Sequence, residues 1–150
     1  MDTKDFIMLA LGAYGTGLST WLAVASWRDK RRVLNVEAGF GAPFPATSFQ
    51  LVMTITVSNP GHKSVTVNSV GYRLPDRSEL LLIDPGPQVR FPHTLSEGTS
   101  CIAIIPAGDM LNTLRARGYE GTVSVDPFAK DALGKQYVGK PYKIDMNIRP

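Results

Sequence analysis

Residues 6–27 of the 150-residue chain read FIMLALGAYGTGLSTWLAVASW, 22 positions without a charged side chain. As an α-helix this run would be about 33 Å long, enough to cross a hydrocarbon core of ~30 Å. No amphipathic stripe relieves it, because its polar side chains are only Ser, Thr and Tyr. A core helix this long would normally show a polar face, whereas a helix apolar on every side belongs in lipid. The run therefore predicts a transmembrane helix over 6–27, behind a short tail at 1–5.

The flanks agree with that reading. Trp21 and Trp27 sit near one end, where interfacial aromatics collect. Arg28, Lys30, Arg31 and Arg32 then end the run abruptly. This cluster at 28–32 is read as a stop-transfer and topology signal, with a capacity to bind anionic lipid head groups. Before the run there is only Lys4, so the positive-inside rule places the N-terminus outside and residues 28–150 in the cytoplasm, in a single-pass protein of the cell (inner) membrane. Ala23-Val24-Ala25 resembles a signal-peptide cleavage site. The leading segment is not net positive, however, the apolar run is too long, and the positive charges follow the site instead of preceding the run. Gly12, Ala13, Thr16, Gly17 and Thr20 share one side of the helix, and small residues so placed let a second helix approach.

From residue 33 the hydrophobic period changes from helical to two. In FQLVMTITVS (49–58), Phe49, Leu51, Met53, Ile55 and Val57 alternate with polar residues, as in a half-buried antiparallel strand. Further strands are expected at 33–38, 64–74, 79–83, 99–105, 121–126 and 135–148. Val65 and Val67 share one parity and Val70, Tyr72 and Leu74 the other, which predicts a β-bulge near Asn68–Ser69. Turns are expected at 59–62 and 131–134, a loop at 39–48 and another at 84–98. A short helix is expected at about 107–117, with Asp109 in its first turn and Gly118 ending it. Pro141 should break the last strand or hold it at an edge. Seven short strands with frequent turns point to an immunoglobulin-like β-sandwich over 33–150, with a small β-barrel as the alternative.

The Trp27–Arg32 juncture, VSNPGHKSVTVNSVGYRL at 57–74 and GKQYVGKPYKID at 134–145 resemble a loose group of bacterial single-pass membrane proteins carrying one immunoglobulin-like domain. The resemblance implies the same layout and brings no known activity with it.

The residues offer no catalytic or cofactor-binding set. His62 and His93 could pair with Cys101 as base and nucleophile, but Cys101 shares a strand face with Ala103 and Ile105, which predicts burial. The one cysteine excludes an intrachain disulfide and a cysteine-based zinc set. Asp126, Asp131 and Asp145 do not match a calcium loop. No phosphate loop or nucleophile elbow occurs. The net charge of +3 is concentrated at 28–32, and residues 33–150 hold 11 Lys/Arg against 10 Asp/Glu, so no basic face for nucleic acid is expected. Phe40 and Phe44 in one loop, and Val89 and Phe91 in the other, are candidate anchors for a protein partner. The expectation is a membrane-tethered interaction module, not an enzyme, with the bilayer and a protein partner or a second copy as its contacts. A structural subunit of a larger membrane-bound assembly is the alternative.

Overall fold

The structure is a computed structural model, and it describes residues 14–24, 33–42, 51–83, 89–147. The chain divides into two compact units, Met1–Arg31 and Arg32–Pro150.

In the first unit residues 14–24 are helical (α1), and every one of them is exposed. Among the described residues no helix is long and apolar enough to cross a membrane. The remainder of the 6–27 expectation, Gly12 and Ala13 included, lies outside the described residues, as do Arg28, Lys30, Arg31 and Arg32.

The second unit is mainly β. Its elements run β1 (Asn35–Gly41), β2 (Val52–Ser58), β3 (Val65–Arg73), β4 (Glu79–Leu81), β5 (His93–Leu95), β6 (Ser100–Pro106), α2 (Ala107–Ala116), β7 (Thr122–Asp131), β8 (Gln136–Val138) and β9 (Tyr142–Asp145). Three strands form one sheet in the order β1-β2-β6. The other sheet has six, in the order β4-β3-β7-β8, with β5 also on β3 and β9 also on β7. All pairings are antiparallel. The described strands form no closed barrel, so the barrel alternative is not met.

The period-two pattern explains the core. Met53, Ile55 and Val57 of β2 are buried between half-exposed neighbours. They join Val36 of β1, Cys101 and Ala103 of β6, and Val65, Val67, Val70 and Tyr72 of β3 in one cluster. Each fully buried aliphatic side chain of this kind stabilises by roughly 1.5–3 kcal/mol. Tyr72 reaches across the core, where its hydroxyl donates to the Thr54 carbonyl oxygen of the opposite sheet at 3.3 Å. Helix α2 adds Ala107, Met110, Leu111 and Leu114 to the core. It ends at Ala116, and Gly118, φ +82°, follows it with its N–H donating to the Arg115 carbonyl oxygen.

The β3–β7 register shifts between Val67 and Ser69. The extra residue turns Val70 and Tyr72 to the core side, as the change of parity required. The turn after β2 carries the chain from one sheet to the other. Asn59 anchors it: its side-chain amide donates to the Lys63 and Leu95 carbonyl oxygens, and its Oδ1 accepts from the Gly61 N–H. Its main chain bonds to Thr99 and Gly98.

Three expectations need correction. The 39–48 loop starts later, because Val36, Ala38 and Phe40 keep one alternation going and β1 runs on to Gly41. The 84–98 loop contains β5, three residues held by pairing with β3 at Val65, Thr66 and Val67. Strand β7 continues through Pro127 to Asp131. Pro127 is tolerated there because it faces the interruption between β8 and β9, where the Gly139 N–H donates to its carbonyl oxygen at 2.8 Å. That interruption, at 139–141, is the break expected from Pro141.

Candidate functional site

The outer face of the six-stranded sheet gathers the most organised polar chemistry among the described residues. Register defines its rows. Leu81, Gly71, Phe128 and Val138 lie side by side on β4, β3, β7 and β8. Glu79, Arg73 and Asp126 form the adjoining row. Ser69, Lys130 and Gln136 lie on the other side of the Gly71 row.

Phe128 holds this face together. It is fully buried, although alternation points it away from the core residues Val125 and Ala129 of its own strand. It fits because its neighbour on β3 is Gly71. A Cβ at Gly71 would overlap the Leu80 carbonyl oxygen and press on the Phe128 ring edge. Charged side chains roof the ring. Lys130 Nζ lies 5.3 Å from its centroid and 2.6 Å from Glu79 Oε2. Gln136 donates to Glu79 Oε1 at 3.2 Å and accepts from Arg73 Nη2 at 2.8 Å. Lys130, helped by Gln136 and Arg73, holds the Glu79 carboxyl below the usual carboxylate range.

A cleft of about 620 Å³ opens at the end of this face, lined by Arg73, Leu74, Pro75, Arg77, Glu79, Ser124 and Asp126. Its rim is the β3–β4 turn. Here the Arg77 N–H donates to the Leu74 carbonyl oxygen, and the Leu74 N–H to that of Ser78. Asp76 accepts from the Ser78 N–H and hydroxyl, at 2.9 and 2.7 Å. These bonds lower its carboxyl pKa. Arg117, just past α2, donates to Ser78 Oγ at 2.8 Å and braces the turn from outside. Arg77 itself has φ +66°. Among the described residues no hydrogen bond or ion pair engages the side chain of Arg77, Ser124 or Asp126.

The residues singled out from the sequence lie elsewhere. Val89 is buried, and Phe91 packs against the core, so neither is an exposed anchor; both fold inward to cover apolar core that a loop leaves open. Phe40 is 39% exposed at the end of β1, and Phe44 lies outside the described residues. Thr16, Gly17 and Thr20 line a shallow groove along α1 with Trp21 and Val24. His62 Nδ1 pairs with Glu97 Oε1 at 2.6 Å on the surface, and His93 is in β5. Cys101 is buried, which raises its thiol pKa. Asp131 is buried as the cap of its own turn, with Oδ1 accepting from the N–H groups of Leu133 and Lys135. Among the described residues no three metal-ligating side chains converge. The outer face escaped the sequence reading because Arg73, Glu79, Asp126 and Gln136 come from four strands. The one local signal was Gly71 within a strand pattern.

No family model matches the sequence, and no curated protein matches it. Among solved structures, the crystal structure of a Bordetella pertussis protein assigned as ApaA is similar at TM-score 0.40 and 11% identity, covering 79% of this chain and 97% of that one. The solution structure of a late embryogenesis abundant protein is similar at TM-score 0.33 and 13% identity, covering 95% and 82%. At these values neither likeness bears on function.

Proposed function

We propose that the chain is a membrane-tethered, non-enzymatic protein-interaction module. Residues 6–27 span the cell membrane once. An immunoglobulin-like sandwich over 33–150 works at the cytoplasmic face, in the layout of the bacterial single-pass proteins that the sequence resembles. The observation that carries this reading is α1. Its described residues are uncharged and all exposed, with Tyr14, Leu18, Trp21, Leu22 and Val24 among them. Such a surface is stable only against lipid or another protein. The described helix accounts for roughly 16 Å of rise, and uncharged sequence continues on both sides of it. Arg28, Lys30, Arg31 and Arg32 fix the orientation. The groove at Thr16, Gly17 and Thr20 offers a packing face for a second helix, of a partner or of another copy.

Membranes carrying the full chain with a C-terminal tag provide the test. The chain is expected to stay in the pellet on alkaline carbonate extraction. Protease should remove the tag from inside-out vesicles and spare it in right-side-out ones. Release by carbonate would overturn the span, and digestion in right-side-out vesicles would overturn the orientation. A crosslinked partner lost on Gly17→Leu places recognition in the helix; one that survives the change places it on the β unit.

A further inference from the structure

The cleft beside the β3–β4 turn carries a feature that a plain turn does not need. This hairpin and the β7–β8 hairpin are built alike. In each a three-residue loop is closed by the same pair of main-chain bonds, Arg77 N–H to Leu74 and Leu74 N–H to Ser78 in one, Gly134 N–H to Asp131 and Asp131 N–H to Lys135 in the other. Both loops require a left-handed residue at their third position. The β7–β8 loop places Gly134 there, φ +80°, which any turn of this type would favour. The β3–β4 loop places Arg77 there, φ +66°. For a residue with a Cβ this conformation is disfavoured, and such strain collects where a side chain has work to do.

The surroundings indicate what that work is. Glu79 is already neutralised by Lys130 and bonded by Gln136. The other charged groups lining the cleft are the Arg73 and Arg77 guanidinium groups and the Asp126 carboxylate, a net charge of +1. Arg73 and Asp126 are register partners on adjacent strands, yet they form no ion pair, since Arg73 turns to Gln136. A guanidinium and a carboxylate that ignore each other across an open cleft suit a ligand carrying complementary groups at both ends. The cleft volume of about 620 Å³ is within the range of small-molecule sites.

We propose that this cleft binds a small ligand that bears an oxyanion, phosphate or carboxylate, at one end and an amine or hydroxyl at the other. The oxyanion sits on the Arg73 and Arg77 guanidinium groups, whose planar forks match two oxygens at once. The amine or hydroxyl donates to Asp126, beside the Ser124 hydroxyl. Such a ligand exists free, as a phosphorylated or carboxylated amine, and as the head group of an aminophospholipid. The site is independent of the interaction-module reading, because it rests on the β unit alone.

The detergent-solubilised full chain is titrated with phosphoethanolamine, with inorganic phosphate and with ethanolamine, by calorimetry and by amide chemical shifts. Vesicles of phosphatidylethanolamine are added in a competing arm. Saturable binding of phosphoethanolamine, tighter than of either fragment and shifting Arg73, Arg77 and Ser124, is the expected result. Competition by vesicles assigns the ligand to lipid, and its absence to a soluble molecule. Arg77→Gly is the decisive variant. It should raise the unfolding midpoint, because the strain is gone, and weaken binding about tenfold or more, the loss of one charge-assisted pair. Asp126→Asn should abolish the preference for phosphoethanolamine over phosphate. No saturable binding of any probe at millimolar concentration would overturn the proposal, as would unchanged affinity in Arg77→Gly.

Discussion

Asn59 and Glu79 show how differently two polar side chains can serve one domain. Asn59 is buried and its amide is fully used, with two carbonyl oxygens and one N–H as partners. Replacing it by Ala leaves the Leu95 carbonyl oxygen buried without that donor, and stability should fall by about 2–3 kcal/mol, read from the urea midpoint. Asn59→Asp should be little better, since it loses both donors. Glu79 acts at the surface, where an ion pair is worth at most about 1 kcal/mol. Its carboxyl pKa is lowered, as is that of Asp76. Both therefore contribute stability above the ordinary carboxylate range, and that contribution is lost as pH falls through the lowered folded values. The unfolding midpoint of the β unit should drop below about pH 4. Glu79→Gln should be less stable at neutral pH and show a shallower acid dependence; an unchanged acid slope would count against the Lys130 pair.

At the scale of elements, strand β3 is the organiser. It pairs with β4, β5 and β7, carries the bulge that turns Tyr72 to the core, and supplies Gly71. That glycine lets the β4 backbone close in on one side and the Phe128 ring on the other. Gly71→Ala should cost about 3 kcal/mol, an overpacking that neither neighbour can relieve by rotating. Phe128→Leu in the same background should recover part of the loss. If Gly71→Ala unfolds at the wild-type midpoint, the close approach of β4 is not what holds this face. Legibility followed apolar content more than length: three-residue β4 was expected at 79–83 from its run of leucines. Strand β2 announced itself through five alternating apolar positions, and α2 through Asp109, Leu111, Leu114 and Gly118. Strand β5 did not, because three residues carry no period and its formation depends on β3.

For the whole molecule, the separation into two units gives a clean spectroscopic handle. Both Trp residues, Trp21 and Trp27, lie in the apolar stretch, and the β unit has none. Tryptophan emission from the chain in vesicles should be blue-shifted and quenched by brominated acyl chains, with no change in the far-UV signal of the β unit. Emission unaffected by brominated lipid would place the helix against protein instead, as the assembly alternative requires.

Alternation and turn residues were enough to locate the change of period near residue 33, the inward faces of β2 and β3, the position of the bulge, and the turn at 131–134. Each of these is local, written within about ten residues by alternation, glycine or proline. Long-range packing, by contrast, folds Val89 and Phe91 inward, buries Phe128 on the outer face, and brings Arg73, Arg77, Ser124 and Asp126 to one cleft. Those outcomes depend on which strands become neighbours and in what register. Register is set by the burial of the whole core at once, and no single segment contains it.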